Sequence, residues 1–240
     1  MIALLEKVIA AQGGMERWQS FQTIIARLSF GGLAFASRFK RAGLRERRIE
    51  ISTRMPRAVF HDFPGSTGRG IFTPDCVWIE SATGEKIAER GSPRAAFRSL
   101  RRSLWWDDLD LLYFVGYAAW NYFTTPFLLA VDGVETKEVE PWQEGSEVWR
   151  RLAVRFPETI PTHCRDQIFY FNSRFHLRRL DYDPEIFASW ARAAHYCSNH
   201  TTFDGLLVPT KRKVVPRAPN GHSRPWPTLV WIEVKDVAFK

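Results

Sequence analysis

Gln22-Thr-Ile-Ile-Ala-Arg-Leu-Ser-Phe30 decides how this chain is read. Ile24, Ala26, Leu28 and Phe30 recur every second residue, with Arg27 and Ser29 between them. A period of two places one set on a buried face and the other on an open one, which a pleated strand requires and a helix cannot satisfy. Before this stretch, Ile2, Leu5, Val8 and Ile9 follow helical spacing and Gly13-Gly14 stops the run, so residues 2–12 read as a helix. A second short turn runs through Met15-Glu16-Arg17-Trp18.

Beyond Phe30 the period of two persists. Gly31-Gly32 predicts a tight connection and Leu33–Phe39 the returning strand. Strands are expected over 45–53, 58–63, 69–72, 76–81 and 86–90, punctuated by Pro56, Pro64-Gly65, Thr73-Pro74-Asp75 and Ala82-Thr83-Gly84. The second half gives 149–156, a hairpin of 167–171 with 176–181, then 193–199, 206–215 and 228–239. Between the halves, 93–103 reads as helical, and Asp107-Asp108 can cap a helix over about 109–119. Its apolar residues cover every side, so it must be buried, and Pro126 limits its length. Residues 131–145 read as an acidic loop, and 186–190 as a short helix. Short connections favour antiparallel neighbours, and a sheet of so many strands must curl. The fold class is therefore mainly β. It is one large curved antiparallel sheet, a half-barrel with helices on its concave side, forming a single domain over 1–240 with an aromatic helical insertion at about 105–130.

Composition narrows the class. With 45% hydrophobic residues the chain can bury a core, which excludes disorder. Three cysteines with no close pairing suit reduced thiols. Glu6 and Lys7 interrupt the apolar N-terminal run, so no signal peptide is expected and the protein is expected in the cytoplasm. The stretch 109–131 holds Asp110, Asn121 and Pro126 between acidic flanks, which argues against a membrane span. The net charge of +8 is blocky. Eight basic residues lie in 38–57 and six in 86–102, against nine acidic ones in 107–147. Such blocks could bind anionic surfaces, but no recognition helix or other nucleic-acid motif accompanies them, and no nucleic-acid partner is expected.

No standard catalytic motif is present. Pro64-Gly-Ser-Thr-Gly-Arg-Gly70 lies between strands with no following helix, so it is not a phosphate loop. The polar residues of interest follow residue 160. His163, Arg179, Asp181 and His195 are the candidate acid–base or anion-holding groups, expected to meet across neighbouring strands with Arg212 nearby. His163, His195 and His200 with Asp181 could be weighed as metal ligands, but no spacing marks such a site. No metal and no cofactor is expected. Tyr113, Tyr117 and Trp120 form one helical stripe facing the sheet. With Phe114, Tyr122 and Phe123 of the same helix, and with Tyr170, Tyr182 and Tyr196, they are the candidate lining of an apolar pocket, and packing of the core is the other reading of the helix aromatics.

Several local runs carry a resemblance: Trp106-Asp107, Tyr113–Tyr122, Pro126-Phe127, Phe156-Pro157, Thr162-His163-Cys164, Phe169-Tyr170-Phe171, Arg178-Arg179, Ala194-His195-Tyr196 and Pro209–Val214. Together they resemble a family of uncharacterised bacterial proteins of similar length, over nearly the whole chain. The order of strands and helices also resembles the LolA/LolB lipoprotein-carrier half-barrel, shared by the violacein-pathway enzyme VioE. That likeness implies architecture and transfers no function. Three functions stay open: binding of a hydrophobic or aromatic small molecule or lipid in the half-barrel, a cofactor-independent enzyme using the His/Arg/Asp set in the same cavity, and attachment to anionic surfaces.

Overall fold

The computed structural model describes residues 1–40, 44–188 and 191–240. Thirteen strands form one antiparallel sheet. Strands β1 (Thr23–Gly31), β2 (Leu44–Ser52), β3 (Ala58–His61), β4 (Arg69–Phe72), β5 (Cys76–Glu80) and β6 (Lys86–Gly91) meander outward on one side. Strands β7 (Glu135–Glu144), β8 (Glu147–Arg155), β9 (Asp166–Phe171), β10 (Leu177–Tyr182), β11 (Ala193–Phe203), β12 (Leu206–Pro216) and β13 (Val230–Phe239) meander back from the other edge. The two halves join where β1 pairs with β13, Ile24 opposite Phe239. The alternation in Gln22–Phe30 is realised there, with Ile24, Ala26, Leu28 and Phe30 all buried.

Helix α1 (Ala3–Ala11) and α2 (Met15–Gln19) precede the sheet. Between β6 and β7 come α4 (Pro93–Ala96), α5 (Leu100–Leu104) and α6 (Asp108–Thr124), with α3 (Leu33–Ala36) earlier in the chain. Helix α6 crosses the concave face of the sheet. Its 17 residues are buried on every side after Asp108, as an all-round apolar pattern demands. Asp107 and Asp110 form a reciprocal capping box at its start. Thr125, extended before Pro126, ends it. Gly116 allows the close approach to β4, since a Cβ there would lie 2.4 Å from Phe72.

Three expectations are corrected. Leu33–Phe39 is not a strand. Gly32 sits at φ 129° against the Leu229 carbonyl, the amides of Leu33 and Ala34 are tethered to Thr228 and Leu229, and α3 forms instead. The return is delayed to β2. Residues 131–145 are not a loop, because Glu135–Glu144 is the edge strand β7, whose solvated charges hide its alternation. That strand brings the total to thirteen. A turn occupies 185–187, and the rest of the expected helix at 186–190 runs into Ser189 and Trp190, outside the described residues.

The charge blocks largely answer each other. Arg90 reaches Asp107 at 2.6 Å and Asp110 at 2.7 Å, Arg102 reaches Asp110 at 2.7 Å, and Arg94 reaches Glu185. Against the opposing pull of burial, Arg90 and the Asp110 amide hold the Asp107 carboxyl down at about 2. Among the described residues, no helix is long and apolar enough to cross a membrane.

Candidate functional site

Strand register decides which side chains meet. Leu180 lies opposite His195, which lies opposite Val214, and Cys197 lies opposite Arg212. Directly paired residues share a face, so His195, Cys197 and Arg212 point toward α6. Arg179 lies opposite Tyr196 and Tyr170, one residue out of step, and points the other way. The expected His/Arg/Asp set is therefore divided by the sheet. His163 and His195 are inside the half-barrel, whereas Arg179 and Asp181 are outside it.

The inner set forms a buried chain of tyrosines and histidines. His163 Nδ1 lies 3.0 Å from the Tyr117 hydroxyl, and its Nε2 lies 2.6 Å from that of Tyr122. A neutral imidazole has one donor and one acceptor nitrogen, so one tyrosine donates a hydrogen bond to it and the other accepts one from it. The His163 ring stacks on Tyr182 at 4.0 Å between centroids. Tyr182 lies 3.4 Å from both the Tyr122 hydroxyl and His195 Nδ1. Arg212 closes the chain through Cys197 Sγ at 3.2 Å and the Tyr122 carbonyl at 2.9 Å, with His195 Nε2 at 3.5 Å.

Burial sets the charge of this chain. It lowers His163 to about 3, helped by the Arg94 charge. It lowers His195 well below the ordinary value, helped by Arg212 and then His163. It raises Tyr117 and Tyr182 well above theirs. At neutral pH both imidazoles and both phenols are neutral.

The outer set is a closed polar knot. Arg179 makes two bonds to Asp181, at 2.6 and 2.8 Å, and Tyr170 donates to the same carboxylate at 2.8 Å. Glu144 on β7 accepts from Tyr196 at 2.6 Å and from Arg179 at 3.3 Å. Residues 217–223 fold over the knot, with the Gly221 carbonyl accepting from Arg179. Arg179 is fully buried and its donors are used. This arrangement is that of a structural ion pair.

An apolar groove of about 320 Å³ opens between α3, residues 184–188 and 191–193, and the ends of β12 and β13. Phe114, Phe187, Val214, Leu229 and Val230 line it, with His163 and Tyr182 on its inner wall. A smaller void of about 40 Å³ shares Phe114 and Val230 with it and runs along α6 to Tyr122 and Arg212. The helix face turned to these spaces carries Phe114, Ala118 and Tyr122.

Of the expected lining, Tyr182 is at the groove and Tyr117 is one residue behind it, bonded to His163. Tyr113 packs on Phe72 and Phe97, and Trp120 donates to the Ser52 carbonyl at 3.1 Å, so both belong to the packed side of α6. Tyr170 and Tyr196 belong to the outer knot. The stripe Tyr113–Tyr117–Trp120 is real but faces the strands rather than the open space. Phe114 and Tyr122, expected among the helix aromatics that could wall a pocket, do face these spaces, whereas sequence reasoning missed Phe187. His200 stands apart, with Nε2 on the Leu177 carbonyl at 2.9 Å.

Three solved structures share this architecture. A DUF1329 family protein from Desulfovibrio piger is 12% identical and superposes with a TM-score of 0.54 over 99% of this chain and 92% of that one. A LolA superfamily protein from Nitrosomonas europaea is 10% identical, TM-score 0.51, over 99% and 92%. A domain named for outer membrane lipoprotein sorting, from Vibrio parahaemolyticus, is 9% identical, TM-score 0.51, over 99% and 91%. The chain has the LolA-like fold. No protein-family model matches the sequence, and no curated protein does. At these identities the likeness concerns the half-barrel alone.

Proposed function

We propose that this protein binds a hydrophobic or aromatic small molecule, or a single lipid chain, in the apolar groove beside α3 and the ends of β12 and β13. The observation that carries the reading is the groove itself, an apolar space of about 320 Å³ at the lower end of the size range of small-molecule sites. Two polar groups on its inner wall, His163 and Tyr182, are neutral and held in place by the buried chain behind them, which suits orienting a ligand. The lipoprotein-sorting name of one structural neighbour is consistent with an apolar cargo in this fold. Acid–base chemistry by a joint His/Arg/Asp set finds no support, because Arg179 and Asp181 lie across the sheet from the histidines.

The test uses N-phenyl-1-naphthylamine, a neutral apolar fluorophore. Its emission should rise saturably with one site per chain. Ala191→Trp places bulk at the groove's half-exposed rim and should weaken binding at least tenfold with the fold intact. Unsaturable emission, or full binding by Ala191→Trp, contradicts the reading.

A further inference from the structure

Resting on that apolar-ligand reading, we propose that the ligand is a single-tailed amphiphile with a carboxylate headgroup, and that Arg38 binds the headgroup. Arg38 follows α3 and lines the groove, yet it is only 9% exposed. Its guanidinium lies over Phe187 at 4.4 Å and near Trp106 at 5.2 Å, so aromatic rings hold its faces. Nη1 donates to Ser37 Oγ at 2.9 Å and to the Ala34 carbonyl at 3.3 Å. Among the described residues Nε is buried with no partner, and Nη2 makes no hydrogen bond.

Among the described residues no carboxylate comes within ion-pair distance of Arg38. The five others, Arg41, Ala42, Gly43, Ser189 and Trp190, include no Asp or Glu. The groove lining likewise has no acidic residue, and its second cation is the exposed Arg192. Burial draws the Arg38 guanidinium down to about 10, which leaves it charged at neutral pH. A buried charge is costly unless it is paired.

The two other buried arginines show what satisfaction looks like in this protein. Arg179 has Asp181 and Glu144. Arg212 has a carbonyl, a thiol and an imidazole. Of these three, only Arg38 has a buried Nε with no partner among the described residues, and it lines an apolar groove. The remaining Nη2 group of a charged guanidinium suits a carboxylate, which accepts charge-assisted hydrogen bonds. The modest groove volume suits one chain rather than several.

The experiment compares laurate, 1-dodecanol and dodecyltrimethylammonium, below their aggregation concentrations, by calorimetric titration of the wild-type protein at pH 7.5. Laurate should bind at least about tenfold tighter than dodecanol, and the ammonium most weakly. Arg38→Met keeps the length of the stem and should reduce laurate to the dodecanol level while leaving dodecanol unchanged. Equal binding of laurate and dodecanol by the wild type overturns the headgroup assignment and leaves the apolar groove standing. Absence of binding by all three ligands overturns both. The wild-type comparison does not depend on the variant folding.

Discussion

Lowering the pH from 7 to 5 should destabilise this protein through two buried histidines. His163 is held at about 3 and His195 well below its ordinary value, both chiefly by burial. In the unfolded chain each titrates near 6.5. Below that value the unfolded state takes up protons that the folded state refuses, so stability falls with pH until the folded value is reached. At pH 5 each histidine should cost about 2 kcal/mol, ~4 kcal/mol together. That is a large share of the ~5–15 kcal/mol typical of a folded domain. His200, lowered to about 4 but partly exposed, acts in the same direction with a smaller share. Asp107, held at about 2, loses its contribution only as pH falls below its ordinary 3.8, outside this window. Urea unfolding at pH 7, 6 and 5 reads the effect directly. His163→Gln should lower stability at pH 7 and flatten the slope by about one proton. Equal stability at pH 7 and 5, or an undiminished slope in the variant, would refute the reasoning.

Three further outcomes are expected. Gly116→Ala should destabilise by about 1–3 kcal/mol in thermal or urea unfolding, because its Cβ would meet Phe72 at 2.4 Å and α6 must lift from the sheet; a neutral change would mean that the helix is loosely seated. Arg179→Met should cost about 3–5 kcal/mol by stranding Asp181, and naphthylamine affinity at the native state should stay as in the wild type, since the knot lies on the other face. Trp120→Ala should cost about 3–5 kcal/mol as a core truncation, again with ligand affinity retained; a small stability loss joined to weakened binding would place Trp120 at the ligand instead.

Much of the fold was legible because its strands have one buried face. Arg69–Phe72 was read at the bounds it has, and Ile49 and Ile51 at zero exposure obey the alternation of 45–53. Legibility failed where that asymmetry was missing. Strand β7 is solvated along an edge, so charge masks its period. Leu33–Ala36 is too short for a period of two to be told from a helical turn. The site was harder to read than the fold. His195, Arg179 and Asp181 are neighbours on the sheet, but a one-residue difference in register sends the arginine and the carboxylate outward. No local pattern reports that parity, because it is fixed by how three strands pair. Arg38 left no mark in the sequence at all. It is one of eight basic residues in its block, and only the packing of Phe187 and Trp106 around it separates it from the solvated ones.

The central claim is that the groove beside α3 and the ends of β12 and β13 holds an apolar ligand. A crystal structure of the protein with N-phenyl-1-naphthylamine tests it most directly. The fluorophore should lie between Phe114, Phe187, Val214 and Val230, with its nearest polar contacts at Tyr182 or His163. A fluorophore seated on the outer face, against Trp142 and Tyr170, with the groove closed by side chains, would contradict it.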